Sequence, residues 1–68
     1  MVEVFKTNVQ SENQALHITG QLSSQFPAFA INFDLEDCDR ILRIEGDGIC
    51  YAVIVQLLTA IGVEAEPL

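Results

Sequence analysis

From Phe29 to Glu36 the side chains alternate without a break. Phe29, Ile31, Phe33 and Leu35 stand against Ala30, Asn32, Asp34 and Glu36. A period of two is that of a strand with one face buried. The run "RILRIE", Arg40 to Glu45, repeats it with Leu42 and Ile44 inward, so the two runs predict a hairpin around Asp37, Cys38 and Asp39. With no glycine there, the turn is expected to be a longer loop built on a type I turn, not a tight I′ pair. The opening run "VEVFKTNV" is rich in β-branched and aromatic residues and predicts a first strand. Val2 and Val4 are expected to face its core, Lys6 its rim, and Phe5 the other side.

The period then changes. Ala15, Ile18, Thr19, Leu22 and Phe26 share one helical face. Ser11 offers an N-cap, and Gln14, three residues on, offers its reciprocal partner. Pro27 ends this helix, because it cannot continue the ladder. A second helix is expected to open at Gly46 or Asp47 and to close at Gly62, the position glycine favours after a helix. The tail "VEAEPL" reads as a short last strand, with Pro67 tolerable only at a sheet edge. The order strand, helix, strand, strand, helix, strand predicts one domain over residues 1–68. It is expected to be a ferredoxin-like βαββαβ sandwich with an antiparallel sheet and both helices on one sheet face. The first and third strands should lie in the middle, the second and fourth at the edges.

Ten acidic residues against three basic ones, a formal charge of −7, argue against a nucleic-acid partner and against acidic membrane surfaces. The stretch from Ile49 to Val63 is uncharged, but it falls short of the about 20 apolar residues that a membrane helix needs. Two cysteines make no disulfide framework, and no basic and apolar leader precedes the first strand. Both features point to a reduced, cytoplasmic protein.

"INFDLED" followed by "ILRIEG" resembles the second strand, acidic hairpin and third strand of the heavy-metal-associated domain family. "VIVQLLTAIGVEAEPL" is similar to that family's second helix and last strand. The resemblance covers nearly the whole chain and implies the same fold. The family's copper chaperones and ATPase modules hold Cu(I) in a Gly-Met-x-Cys-x-x-Cys loop, where two thiolates at a helix start suit a soft cation. Laid on this chain, Asn8 takes the place of the glycine, Val9 of the methionine, and Ser11 and Gln14 of the two cysteines. Hydroxyl and amide oxygens are poor ligands for a soft metal. The loop is therefore expected to be degenerate, without metal or cofactor, and to serve as a helix cap.

The remaining candidates are few. Cys50 shares a helical face with Val53, Ile54 and Leu57 and is expected to be buried there, whereas Cys38 is expected to be a loop thiol and His17 a solvated side chain. Displaced ligation by Cys50, Cys38 and His17 is the alternative metal reading. Asp34, Glu36, Asp37 and Asp39 lack the spacing and the glycine of a calcium loop and read as a solvated hairpin that discourages edge pairing. No nucleophile has a base beside it in sequence and no glycine loop cradles phosphate, so an enzyme is not expected. In the second helix Ile49, Cys50, Val53, Ile54, Leu57, Ala60 and Ile61 are expected to face the core. Tyr51, Val55, Leu58 and Thr59, with Ala52, then form an uncharged outer stripe. A surface helix normally carries charge there, so the stripe predicts a protein contact, most simply a homodimer.

Overall fold

The computed structural model describes residues 1–68. Its elements are β1 (Val2–Thr7), α1 (Glu12–Gln25), β2 (Ala30–Asp34), β3 (Ile41–Glu45), α2 (Tyr51–Ala60) and β4 (Ala65–Pro67). The strands form one antiparallel sheet in the order β2-β3-β1-β4. Phe5, Leu42 and Ile44 from the sheet, Ala15, Ile18 and Leu22 from α1, and Ile54 and Leu58 from α2 belong to one buried cluster. Both helices therefore cover the same sheet face, the ferredoxin-like arrangement.

Strand parity in β1 differs from the expectation. Phe5 is fully buried and Thr7 nearly so, while Val2 is exposed and Val4 half-buried on the open face. Both parities of "VEVFKT" hold apolar residues, so alternation alone does not choose. Phe5 buries far more apolar area than either valine, and the Thr7 hydroxyl finds partners inside. Phe5 lies opposite Leu42 across the central pair, and Leu42 opposite Phe33, which makes a row of large side chains under the helices. Ile31, Phe33 and Leu35 pack at the margin of this core, as their alternation predicts.

The hairpin turn is closed by an Arg40 N–H to Asp37 carbonyl bond, with Cys38 and Asp39 at its centre and neither at positive φ. That is the unprimed turn expected. The left-handed residue falls on Arg40, at φ 49°, where its guanidinium donates to the Leu35 carbonyl at 3.1 Å. At the other end of the sheet Gly46 sits against the Phe29 ring, itself stacked on Phe26 at 5.2 Å. A Cβ on Gly46 would lie 2.4 Å from that ring, so any other residue there would have to displace the Phe29 ring.

In α2 the structure corrects three expectations. The helix starts at Tyr51, with Cys50 as an exposed N-cap residue and not as a buried core thiol. Leu58 is fully buried and Val55 half-buried, so neither belongs to an outer face. Val53, Ala60 and Ile61, expected inside, are exposed. The helix is turned by about a quarter of a revolution from the expected setting, at about 100° per residue. Its end follows the expectation: Val63 N–H donates to Leu58 and Gly62 N–H to Thr59, with Gly62 at φ +81°. This is a Schellman close, and the buried Leu58 and Val63 supply its apolar contact.

The corrected setting has a direct consequence. Leu58→Ala should cost about 2–5 kcal/mol in urea unfolding, as buried leucine truncations do. Val53→Ala, at an exposed site, should stay within about 0.5 kcal/mol. Equal losses at the two positions would contradict this setting of α2.

Candidate functional site

Two places come from the sequence as candidates: the loop between β1 and α1, and the outward side of α2. In the loop the side chains of Asn8 and Ser11 are both engaged by backbone groups of the protein. Ser11 Oγ accepts from Gln14 N–H at 3.1 Å, and Gln14 Oε1 accepts in turn from Gln10 N–H at 3.1 Å. The cap is thus reciprocal, with the return bond landing one residue earlier than in the usual box. Asn8 N–H donates to the Glu64 carbonyl and Asn8 Oδ1 accepts from Glu64 N–H, which ties the loop to the start of β4. Val9 is fully buried in the core.

Thr7 joins these pieces. Its hydroxyl donates to the Arg40 carbonyl and accepts from Val9 N–H, so one buried oxygen links β1, the hairpin and the loop. The Lys6–Asp39 ion pair beside it is 3.7 Å long and exposed, and such pairs contribute little.

The alternative ligands do not come together. Thr7 bonds Asp39 at one end of the sheet, and Gly46 bonds Met1 at the other. Cys38 belongs to the first end, Cys50 to the second, and both are free and exposed. His17 is an exposed residue of α1. The only three-residue grouping of His, Cys, Asp or Glu ligand atoms is Asp37, Cys38 and Asp39, within 4.8 Å of one another. Asp37 Oδ1 already accepts from Asp39 N–H there, and this exposed hairpin tip reads as a self-capped turn. No helix is long and apolar enough to cross a membrane.

The outward side of α2 holds a different apolar stripe from the expected one. Tyr51 and Thr59 are exposed, but buried Leu58 and half-buried Val55 interrupt their flank. Val53, Leu57, Ala60 and Ile61, spaced i, i+4, i+7 and i+8, run down the other flank. Leu57, Ala60 and Ile61 of this flank border a groove of ≈ 710 Å³ between the helices, whose α1 wall carries Leu16, Gly20 and Leu22. Leu16 is 70% exposed, Val53 and Ile61 43% each. No Asp, Glu, Lys or Arg lines this groove. The two helices together hold one such residue, Glu12, so nearly all the charge sits on strands and loops. Sequence reading found the missing charge but not the flank, since only Gln56 and Thr59 in α2 are polar.

Two substitutions check the loop. Thr7→Val keeps the shape but strands the Val9 N–H and the Arg40 carbonyl, and should cost about 1–3 kcal/mol in thermal or urea unfolding. Ser11→Ala removes the cap and should cost about 1 kcal/mol. A Thr7→Val protein as stable as its parent would remove the buried hydroxyl from this account.

Comparison with protein-family models, curated proteins and solved structures finds no match to this chain.

Proposed function

We propose that this chain is a non-enzymatic interaction domain, akin to heavy-metal-associated domains, whose metal loop has become a helix cap and which self-associates through its helical layer. The observation that carries this reading is the segregation of charge. A surface helix in water normally shows charged residues, and here the outward side of α2 offers Val53, Leu57, Ala60 and Ile61, the last three sharing a groove with the exposed Leu16 of α1. Burying a whole side chain of this kind is favourable by about 1.5–3 kcal/mol, and a half-exposed one recovers roughly half of that. Leu16, Val53 and Ile61 on both copies of a symmetric pair then contribute roughly 5–9 kcal/mol, which exceeds only the lower part of an association cost of about 4–15 kcal/mol, so the dimer expected is a weak one.

Support for the metal-free part comes from the loop. Ser11 Oγ and Gln14 Oε1 are spent on backbone N–H groups, and neither is a soft ligand. Replacing Ser11 and Gln14 with cysteine should create Cu(I) binding at this helix start that the parent lacks, read by native mass spectrometry under reducing conditions. Uptake of one Cu(I) per unmodified chain in competition with a strong chelator would overturn the metal-free reading.

Self-association has its own test. Each chain carries −7, so long-range repulsion opposes pairing and moderate salt should strengthen it. Sedimentation velocity over a concentration series should show a dimer that Val53→Glu and Leu16→Glu convert to monomer. Thr59→Glu, on the other flank, should leave it intact. A parent that stays monomeric at high micromolar concentration and moderate salt contradicts the homodimer.

A further inference from the structure

We propose that the free edge of β2 is a binding site for an extended basic peptide segment, which adds to the sheet as a fifth strand in the groove between β2 and α1. The site shares Leu16 with the helical groove, is otherwise lined by other residues, and does not depend on the reading given for that groove.

The sheet has two edges, and they are unequal. β4 is three residues long and contains Pro67, which has no N–H to offer. β2 runs for five residues without proline, glycine or lysine, and pairs one-to-one with β3 from Ala30–Glu45 to Asp34–Ile41, so no bulge twists its edge away. Its free groups follow from the ladder. Gly46 N–H donates to the Met1 carbonyl, so in β3 the backbone groups of Ile44 and Leu42 point to β1. Alternation then turns those of Glu45, Arg43 and Ile41 toward β2, where they meet Ala30, Asn32 and Asp34. The N–H and C=O groups of Ile31 and Phe33 are left aimed off the sheet, and no loop or side chain bonds them.

Beside this edge lies a groove of ≈ 500 Å³ between β2 and α1. Leu16, Ile31, Phe33 and Leu35 give it an apolar floor, none of them fully buried. Free ladder groups next to a pocket for alternate side chains are what strand addition requires. Charge selects the occupant. Glu12, Asp34 and Glu36 line the groove, and no Lys or Arg does. A second copy pairing edge to edge would bring six such carboxylates together between chains already at −7. A segment alternating apolar residues with Lys or Arg instead places the apolar ones in the groove and turns the cations to the open sheet face, where Asp34, Asp37 and Glu45 outnumber Arg43.

The test uses the ¹⁵N-labelled full chain and an end-capped peptide of about eight residues alternating lysine and valine, long enough to span the edge. Amide shifts should centre on β2 and α1, and the Ile31 and Phe33 amides should become protected from hydrogen exchange. Added salt should weaken binding, the opposite sign to the helical contact. The glutamate–valine counterpart should not bind. The lysine–valine peptide N-methylated on alternate residues should lose binding while keeping its charge. Asp34→Lys with Glu45→Lys should weaken binding on the order of tenfold with an unchanged circular dichroism spectrum. Three outcomes overturn the proposal: binding that leaves the Ile31 and Phe33 amides unprotected, equal binding of the N-methylated peptide, or amides already protected in the free protein in a concentration-dependent way. The last would give the edge to a second copy. Failure of the helical contact reads out at Leu57 and Ile61 and is distinct from all three.

Discussion

The side to which β1 turns Phe5 and Thr7 is the constraint on which the other elements depend. Two short helices can cover only one face of a four-stranded sheet, and a chain of 68 residues has little area to spare. Once Phe5 points inward, Leu42 beside it and Phe33 beyond must do the same, and Ile18, Leu22, Ile54 and Leu58 close over them. Thr7 extends that inward row with a hydroxyl, and the hydroxyl is used: it holds the hairpin carbonyl of Arg40 and the N–H of Val9. Val9 then enters the core and Ser11 emerges at the helix start as a cap. The loop that resembles a metal site is thus shaped by core packing and backbone satisfaction.

Charge is distributed by the same layering. The sheet edge and hairpin carry Asp34, Glu36, Asp37 and Asp39, while the helical layer carries Glu12 alone. A layer with a single charge leaves dispersion and apolar burial as the main forces available on that side. The acidic edge of β2 favours a basic partner. The two proposed contacts should therefore respond to salt in opposite directions.

Much of the fold was legible because its signals were local. The alternation from Phe29 to Glu36, the Ser11–Gln14 cap, Pro27 as a stop and Gly62 as a close each name their own geometry. Two faces were not legible, for one reason. In "VEVFKT" and in Tyr51–Ala60 apolar residues occupy more than one face, so periodicity leaves the orientation open and tertiary packing decides it. Phe5 outcompetes Val2 and Val4 by size, and Leu58 is drawn inward by the Schellman contact with Val63. The start of α2 was read too early, at Gly46 or Asp47, because neither glycine nor aspartate is used as its cap. Gly46 is needed instead for the close approach of Phe29. The lack of charge on α2 was plain from sequence. Which of its apolar residues remain in water was not.

The claim at the centre of this account is that the uncharged helical layer is a contact surface. A dilution series of amide spectra on the ¹⁵N-labelled chain tests it residue by residue. Concentration-dependent shifts should gather on Leu16, Val53, Leu57, Ala60 and Ile61, while Val4, Asn32 and Arg43 on the open sheet face stay still. Shifts centred on the open face, or none across the accessible concentration range, would contradict it.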